Sequence, residues 1–373
     1  MDFEGLEEVI AYEGKQFVTD LEGPVTRNDN ALELCERYVE HGRELFFLIE
    51  RYEDVLAEVL HRSGYKTGDA LRLILPFLKA FGATDHGMLE MAKKNVSVLP
   101  GADKVMRYMQ EIMASFIVST SYEHYVSAVC EAIGFPFENA FCTRVSLDQI
   151  RMDEWEARTI RNLAEEISRM PIIEIPQGAR SMGGFSPRDQ RTLLRLDEIF
   201  WTEMTDLPSF RLVMEVNPVG GEEKAATIVD ICKKTGIGIE DTMYVGDGLT
   251  DVQAMRLVKR GGGLAVSFNG SAPAVKEADV AVLSPNAVVT SILAEEFFKG
   301  GKDAALEIVD RWSVDGIRRD GRVNEYLVRE LERVFDGRLP KVERVSSSNI
   351  ERLSESSAVF RRTVRGESVG SVG

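Results

Sequence analysis

Two acids, Asp20 and Glu22, stand one residue apart where the apolar stretch KQFVT runs into DLEGPVTRND. Gly23 and Pro24 follow at once and force a tight turn. Such a pair is either an ordinary acidic turn or the carboxylate half of a site that handles a metal and a phosphate. Three later segments bear on the choice. FIVSTS ends an apolar run in Ser119, with Thr120 and Ser121 beside it. Hydroxyls opening onto a helix suit an anion, although a serine there also serves as a helix cap. VNPVGGEEKAATIVDI puts Lys224 in the first turn of a predicted helix. The helix dipole disfavours a cation there unless an anion partners it, the plain alternative being a solvated surface lysine. TMYVGDGLTDVQAM carries an apolar strand into Gly246-Asp247-Gly248, with Asp251 opening the next helix. Two carboxylates so spaced can share a hard divalent cation, one touching it and one behind, or they mark an Asp-Gly turn.

Each of these residues needs a strand end or a helix start to hold it. Short apolar strands alternate with helices through GGEEKAATIVDICKKTG, DTMYVGDG, TDVQAMRLVKR, GGLAVSF, SAPAVKEA and DVAVL. That alternation predicts an α/β fold, a Rossmann-like parallel sheet with helices on both faces. In such sheets ligands bind beyond the carboxyl ends of the strands, where Asp20, Ser119 and Asp247 fall. The sheet-forming core is expected in 1–29, 95–152 and 211–298. Leu34, Val39, Leu45, Leu48, Ile49, Tyr52, Val55, Leu56 and Val59 recur at helical spacing, so 30–94 reads as an inserted helical cap, with a kink or break at Pro76. A second, mostly helical insertion spans 153–210, broken by the link IPQGARSMGGFSP. Further helices are expected in 299–344. The tail 345–373, rich in Ser, Arg, Glu and Gly, reads as disordered.

At 373 residues the chain exceeds one simple core, which agrees with insertions in a larger domain. Its net charge of -16 argues against nucleic-acid binding, since no basic stripe offsets it. Cys35, Cys130, Cys142 and Cys232 are scattered with no zinc or cluster spacing, which points to a reduced, cytoplasmic setting. The N-terminus MDFEGLEEVIAYEG lacks the basic and apolar regions of a signal peptide, and no apolar run is long enough to span a bilayer. Arg51, Arg158, Arg180 and Arg188 in the insertions are conceivable substrate readers, though exposed arginines are the rule. Asn269 falls in the loop after a strand and is placed near the pocket; His124 reads as merely packed.

The ordered set Asp-x-Glu, Ser, Lys and GDxxxD resembles the haloacid-dehalogenase-like phosphohydrolase superfamily, and within it the phosphoserine-phosphatase-like branch. The helical cap, the LPGA lead into the second motif and the AVSFN strand add to that likeness. The DLEG variant resembles the loop of phosphoserine:homoserine phosphotransferase. FVTDLEGPVTRNDNA and the chain as a whole also resemble archaeal proteins described as subunit R of an energy-converting hydrogenase. The resemblance implies a Mg²⁺-dependent phosphomonoester phosphatase acting on a small phosphorylated metabolite, with Asp20 as nucleophile and Glu22 as proton donor and acceptor. Ser119 and Lys224 would bind the transferring phosphoryl group. Mg²⁺ would be held by Asp20, the main-chain carbonyl of Glu22 and Asp247, with Asp251 steadying its waters. Glu22 departs from the Asp that most phosphatases of the superfamily carry, which leaves transfer to an alcohol open. An accessory role in a hydrogenase complex is the alternative from a different class.

Overall fold

Strand β1 (Gln16–Thr19) is buried along its whole length because neighbouring side chains serve different layers. Phe17 packs into one apolar cluster and Val18 into another, as the two-residue period of a strand requires. The structure is a computed structural model describing residues 14–176 and 178–366. Residues 1–13 of the expected core and 367–373 of the expected tail lie outside the described residues.

Four helices follow β1: α1 (Asn30–Tyr38), α2 (Gly42–Asp54), α3 (Ala70–Ala80) and α4 (Asp85–Asn95). Asp29 caps α1, its side chain accepting the N–H of Leu32 at 3.0 Å. Helix α3 runs through Pro76 without ending there, so of the expected kink or break the break does not occur. The chain then returns to the sheet with α5 (Ala102–Ile112), β2 (Ala114–Tyr122), α6 (Glu123–Ile133) and β3 (Ala140–Thr143). It leaves again for α7 (Glu154–Ser168), α8 (Pro187–Glu198) and α9 (Phe210–Glu215).

These three helices do not form a unit of their own. They share one apolar core with α1 to α3: Phe200 stacks on Tyr52 with ring centroids 5.7 Å apart, and Phe77 meets Phe200 edge-on. The carboxylate of Glu156 accepts the main-chain N–H of Ser209 at 2.8 Å inside this core. The two insertions therefore build a single helical cap.

Helix α10 (Glu222–Thr235), β4 (Thr242–Gly246), α11 (Val252–Arg260), β5 (Leu264–Phe268), α12 (Ala272–Glu277) and β6 (Val280–Leu283) complete the parallel part of the sheet. Gly236, at φ 75°, closes α10 in the left-handed conformation that glycine tolerates. Helices α13 (Val288–Asp310), α14 (Val314–Asp320) and α15 (Glu325–Phe335) follow, then β7 (Lys341–Arg344) and α16 (Ile350–Arg365). The strand order is β3-β2-β1-β4-β5-β6-β7, with β7 alone antiparallel to its neighbour. Helices α5, α6, α13 and α15 cover one face, and α10 to α12 cover the other. This is the Rossmann-like parallel sheet expected from the alternating pattern.

The expected disordered tail needs correcting over 345–366. Residues 345–366 are ordered, and α16 packs Leu353 against Val275, Ala281 and Leu283. Its buried residues, Leu353, Ser354, Ser357 and Arg361, form one stripe in which only Leu353 is apolar. Composition therefore read as disorder what geometry makes a docked helix.

Candidate active site

The chain reverses direction across the sheet at β1, which lies between β2 and β4 with parallel pairing on both sides. A switch of this kind opens a crevice at the carboxyl ends of the strands. Asp20 follows the last residue of β1, Ser119 lies near the end of β2, and Asp247 follows the last residue of β4. The sheet register alone thus gathers three of the six expected residues.

The loop after β1 is fixed by its own backbone: Gly23 N–H donates to Thr26 O at 2.8 Å and Thr26 N–H to Leu21 O at 2.9 Å. Gly23 sits at φ 110°, and a Cβ there would overlap the carboxylate of Asp247. Only glycine lets this loop lie against the end of β4. Glu22 Oε1 accepts the N–H of Asn30 at 2.9 Å, which ties the second acid to the start of the cap.

Lys224 is fully buried and joins two motifs. Its Nζ lies 2.8 Å from Asp20 Oδ2 and 2.7 Å from Asp251 Oδ1. Asp251 takes a further bond from the Tyr244 hydroxyl at 2.6 Å on Oδ1, and the N–H groups of Asp247 and Gly248 on Oδ2 at 2.8 and 2.9 Å. With four donors on two oxygens, Asp251 is anchored as a support behind the crevice.

Asp20, Glu22, Ser119 and Asp247 line a cavity under the cap, together with Asp29, Glu50, Glu53, Asp54, Thr67 and Thr120. Lys224 and Asp251 stand behind Asp20, outside its lining. Neither Arg51, Arg158, Arg180 nor Arg188 lines the cavity; Arg51 pairs with Asp54 and Arg188 with Asp189. Asn269 also lies outside the lining, and its side-chain amide exchanges two bonds with the main chain of Ser284. His124 is packed beside Asp85. The four cysteines are free, Cys130 and Cys142 included.

The two arginines of the lining were not among the expected residues. Arg361 and Arg365 reach in from α16, and each lies within 3.0 Å of Asp247 Oδ2. Their four-residue spacing on a stripe with Leu353 and Ser357 was the available sign.

Burial and the neighbouring Asp251 push the Asp20 carboxyl up to about 7, against the pull of Lys224. Burial also raises Asp247 despite both arginines, and raises Glu22 well above the usual range with the help of Asp29. Asp251 alone is lowered: burial works against its charge, but Lys224 and the surrounding donors outweigh it. The crevice therefore holds more buried negative charge than its own cations neutralise. Asp20, Asp247 and Asp251 bring carboxylate oxygens within 4.8 Å of one another, all three buried. An all-oxygen cluster of this kind suits a hard divalent cation such as Mg²⁺.

Fold and site define an α/β protein whose parallel sheet presents an acid–lysine constellation beneath a helical cap. The chain is similar to gene product AF1437 from Archaeoglobus fulgidus, with 26% identity and a TM-score of 0.78 over 97% of this chain and 99% of that one. A substrate-bound phosphoserine phosphatase aligns at 15% identity, covering 76% of this chain and 98% of its own, with a TM-score of 0.43. A phospho-aspartyl intermediate analogue of phosphoserine phosphatase aligns at 17% identity over 76% and 99%, also at 0.43. No family model and no curated protein matches the chain. Among the described residues no helix is long and apolar enough to cross a membrane.

Proposed function

We propose that the protein is a Mg²⁺-dependent phosphomonoesterase of the haloacid-dehalogenase type, working through an aspartyl-phosphate on Asp20. The observation that carries this reading is the double contact of Lys224, to Asp20 at 2.8 Å and to Asp251 at 2.7 Å, in a crevice shared with Asp247. A buried lysine held between two buried acids is costly unless the site must keep a carboxylate ionised.

Asp20 attacks phosphorus, forming a new P–O bond as the ester P–O bond breaks. Lys224 favours the charged form of Asp20 and aims it, since it holds the carboxylate from the side away from the cavity. Ser119, buried near the end of β2, offers its hydroxyl to a phosphoryl oxygen while its Oγ accepts the N–H of Ser121 at 3.2 Å. Glu22, whose carboxyl burial pushes well above the usual range, gives its proton to the leaving oxygen. The same carboxylate then takes a proton from the water that cleaves the aspartyl-phosphate and frees inorganic phosphate. Asp20 and Asp247, with the carbonyl of Glu22, would hold Mg²⁺, which when bound neutralises phosphoryl charge. Asp251 orients the Asp247 end of that set through the N–H groups it accepts.

The cap closes the cavity from above with residues of α2 and of the loop before α3, so the substrate is a small phosphorylated metabolite. Phosphate release from a panel of phosphomonoesters, with Mg²⁺, is the test. The wild type turns over at least one ester, and Asp20→Asn turns over none. Equal release by both proteins sinks the proposal.

A further inference from the structure

Helix α16 brings two arginines to one carboxylate. Arg361 Nη1 donates to Asp247 Oδ2 at 2.6 Å and to the main-chain oxygen of Asp247 at 2.7 Å. Arg365 Nη1 donates to the same Oδ2 at 3.0 Å, and its Nε and Nη2 donate to the carbonyls of Arg27 and Asn28 at 3.0 and 3.2 Å. Both side chains are 5% exposed. The helix is fastened elsewhere by Leu353 in its apolar cluster and by Ser357, whose hydroxyl donates to Gly270 O at 2.6 Å. Its docking therefore delivers two positive charges to Asp247 by direct ion pairs.

Asp247 is also one of the three carboxylates whose oxygens cluster tightly enough for a divalent cation. A cation bound there and two guanidinium groups on the same carboxylate repel one another strongly in a buried, weakly screened crevice. Oδ2 already accepts two charge-assisted bonds, which leaves it little capacity for a metal. The two arginines and a divalent cation are alternative ways to neutralise the same group.

We propose that α16 is a latch carried by the chain itself: Arg361 and Arg365 stand in for the cation at Asp247, and binding of the cation releases the helix. The latch rests on the reading of Asp20, Asp247 and Asp251 as a cation site. Linkage then runs both ways. Whatever loosens α16 tightens cation binding, and the cation loosens α16 by the same factor.

The test measures Mg²⁺ or Mn²⁺ affinity by calorimetry, and amide hydrogen exchange over 350–365, on the full chain with and without the cation. Three variants accompany the wild type: Arg361→Gln with Arg365→Gln, Leu353→Ala, and Asp247→Asn. The double arginine variant binds the cation about tenfold more tightly or better, within the usual range of coupling between sites. Leu353→Ala loosens α16 from outside the cavity, shifts affinity in the same direction, and decides the matter if the double variant does not fold. In the wild type the cation raises exchange across 350–365. The latch requires both results. Unchanged or weaker binding in the loosened variants, or a helix equally protected with the cation bound, overturns it while leaving the cation site standing, provided Asp247→Asn abolishes binding. Failure of every form, wild type included, to bind a cation overturns the site and the latch together.

Discussion

Lys224 Nζ lies 2.8 Å from Asp20 Oδ2, with the lysine fully buried and the acid nearly so. The pair links the end of β1 to the first turn of α10, two elements far apart in the chain. Replacing Lys224 with Met leaves Asp20 and Asp251 as buried acids without their shared partner. Breaking a buried pair in this way costs about 3–5 kcal/mol. The variant is expected to unfold at lower denaturant and to lose about 10²-fold or more in phosphate release. A denaturation midpoint and a turnover rate both near wild type contradict the assigned role.

Gly23 is expected to be intolerant for two reasons that act together. Its φ of 110° disfavours any side chain, and a Cβ would collide with Asp247. Gly23→Ala should cost about 1–3 kcal/mol of strain and push the loop off β4. Calorimetric titration with Mg²⁺ reads the consequence, because the Asp247 carboxylate and the Glu22 carbonyl would no longer be placed to share one ion. Cation affinity undiminished in this variant speaks against the shared site.

Glu22 separates bond cleavage from phosphate release. Glu22→Gln keeps the bond from Asn30 N–H, since the amide oxygen still accepts it, but supplies no proton. Turnover should fall about 10²–10⁴-fold. With an activated aryl phosphate, whose leaving group needs no acid, the first step survives and the phosphorylated protein accumulates. Steady turnover at the wild-type rate removes Glu22 from the chemistry.

The joint core of the two insertions carries its own prediction. Phe200 is fully buried between Tyr52 and Phe77. Phe200→Ala is expected to destabilise by about 3–5 kcal/mol. The loss should appear as raised KM before it appears as lowered kcat, because α2 lines the cavity while the proposed nucleophile Asp20 follows the end of β1. If KM is unmoved and only kcat falls, the insertion does not shape the substrate pocket.

Much of this site is written locally. Thr19-Asp20, Gly246-Asp247 and Ser119 are each a buried strand meeting a functional group, and such junctions can be read one window at a time. The cap helices are legible for the same reason, their apolar residues recurring at helical spacing. What is illegible is packing between segments distant in sequence. Nothing in the window around Phe200 points to Tyr52, so the second insertion reads as a separate piece. Helix α16 hides in another way: its buried stripe is Leu353, Ser354, Ser357 and Arg361, and an arginine buried on a carboxylate looks in sequence like an arginine in water. The burial of Lys224 belongs to the same class, since a first-turn lysine is usually solvated. In each case the partner that makes the residue worth burying comes from another element.

Acid-quenched mass spectrometry of the wild-type protein turning over a phosphomonoester with Mg²⁺ tests the central claim most directly. The account places a phosphoryl group on the peptide that contains Asp20, absent in Asp20→Asn and more abundant in Glu22→Gln. Turnover with the phosphoryl group on another residue, or with no modified peptide even in Glu22→Gln, contradicts it.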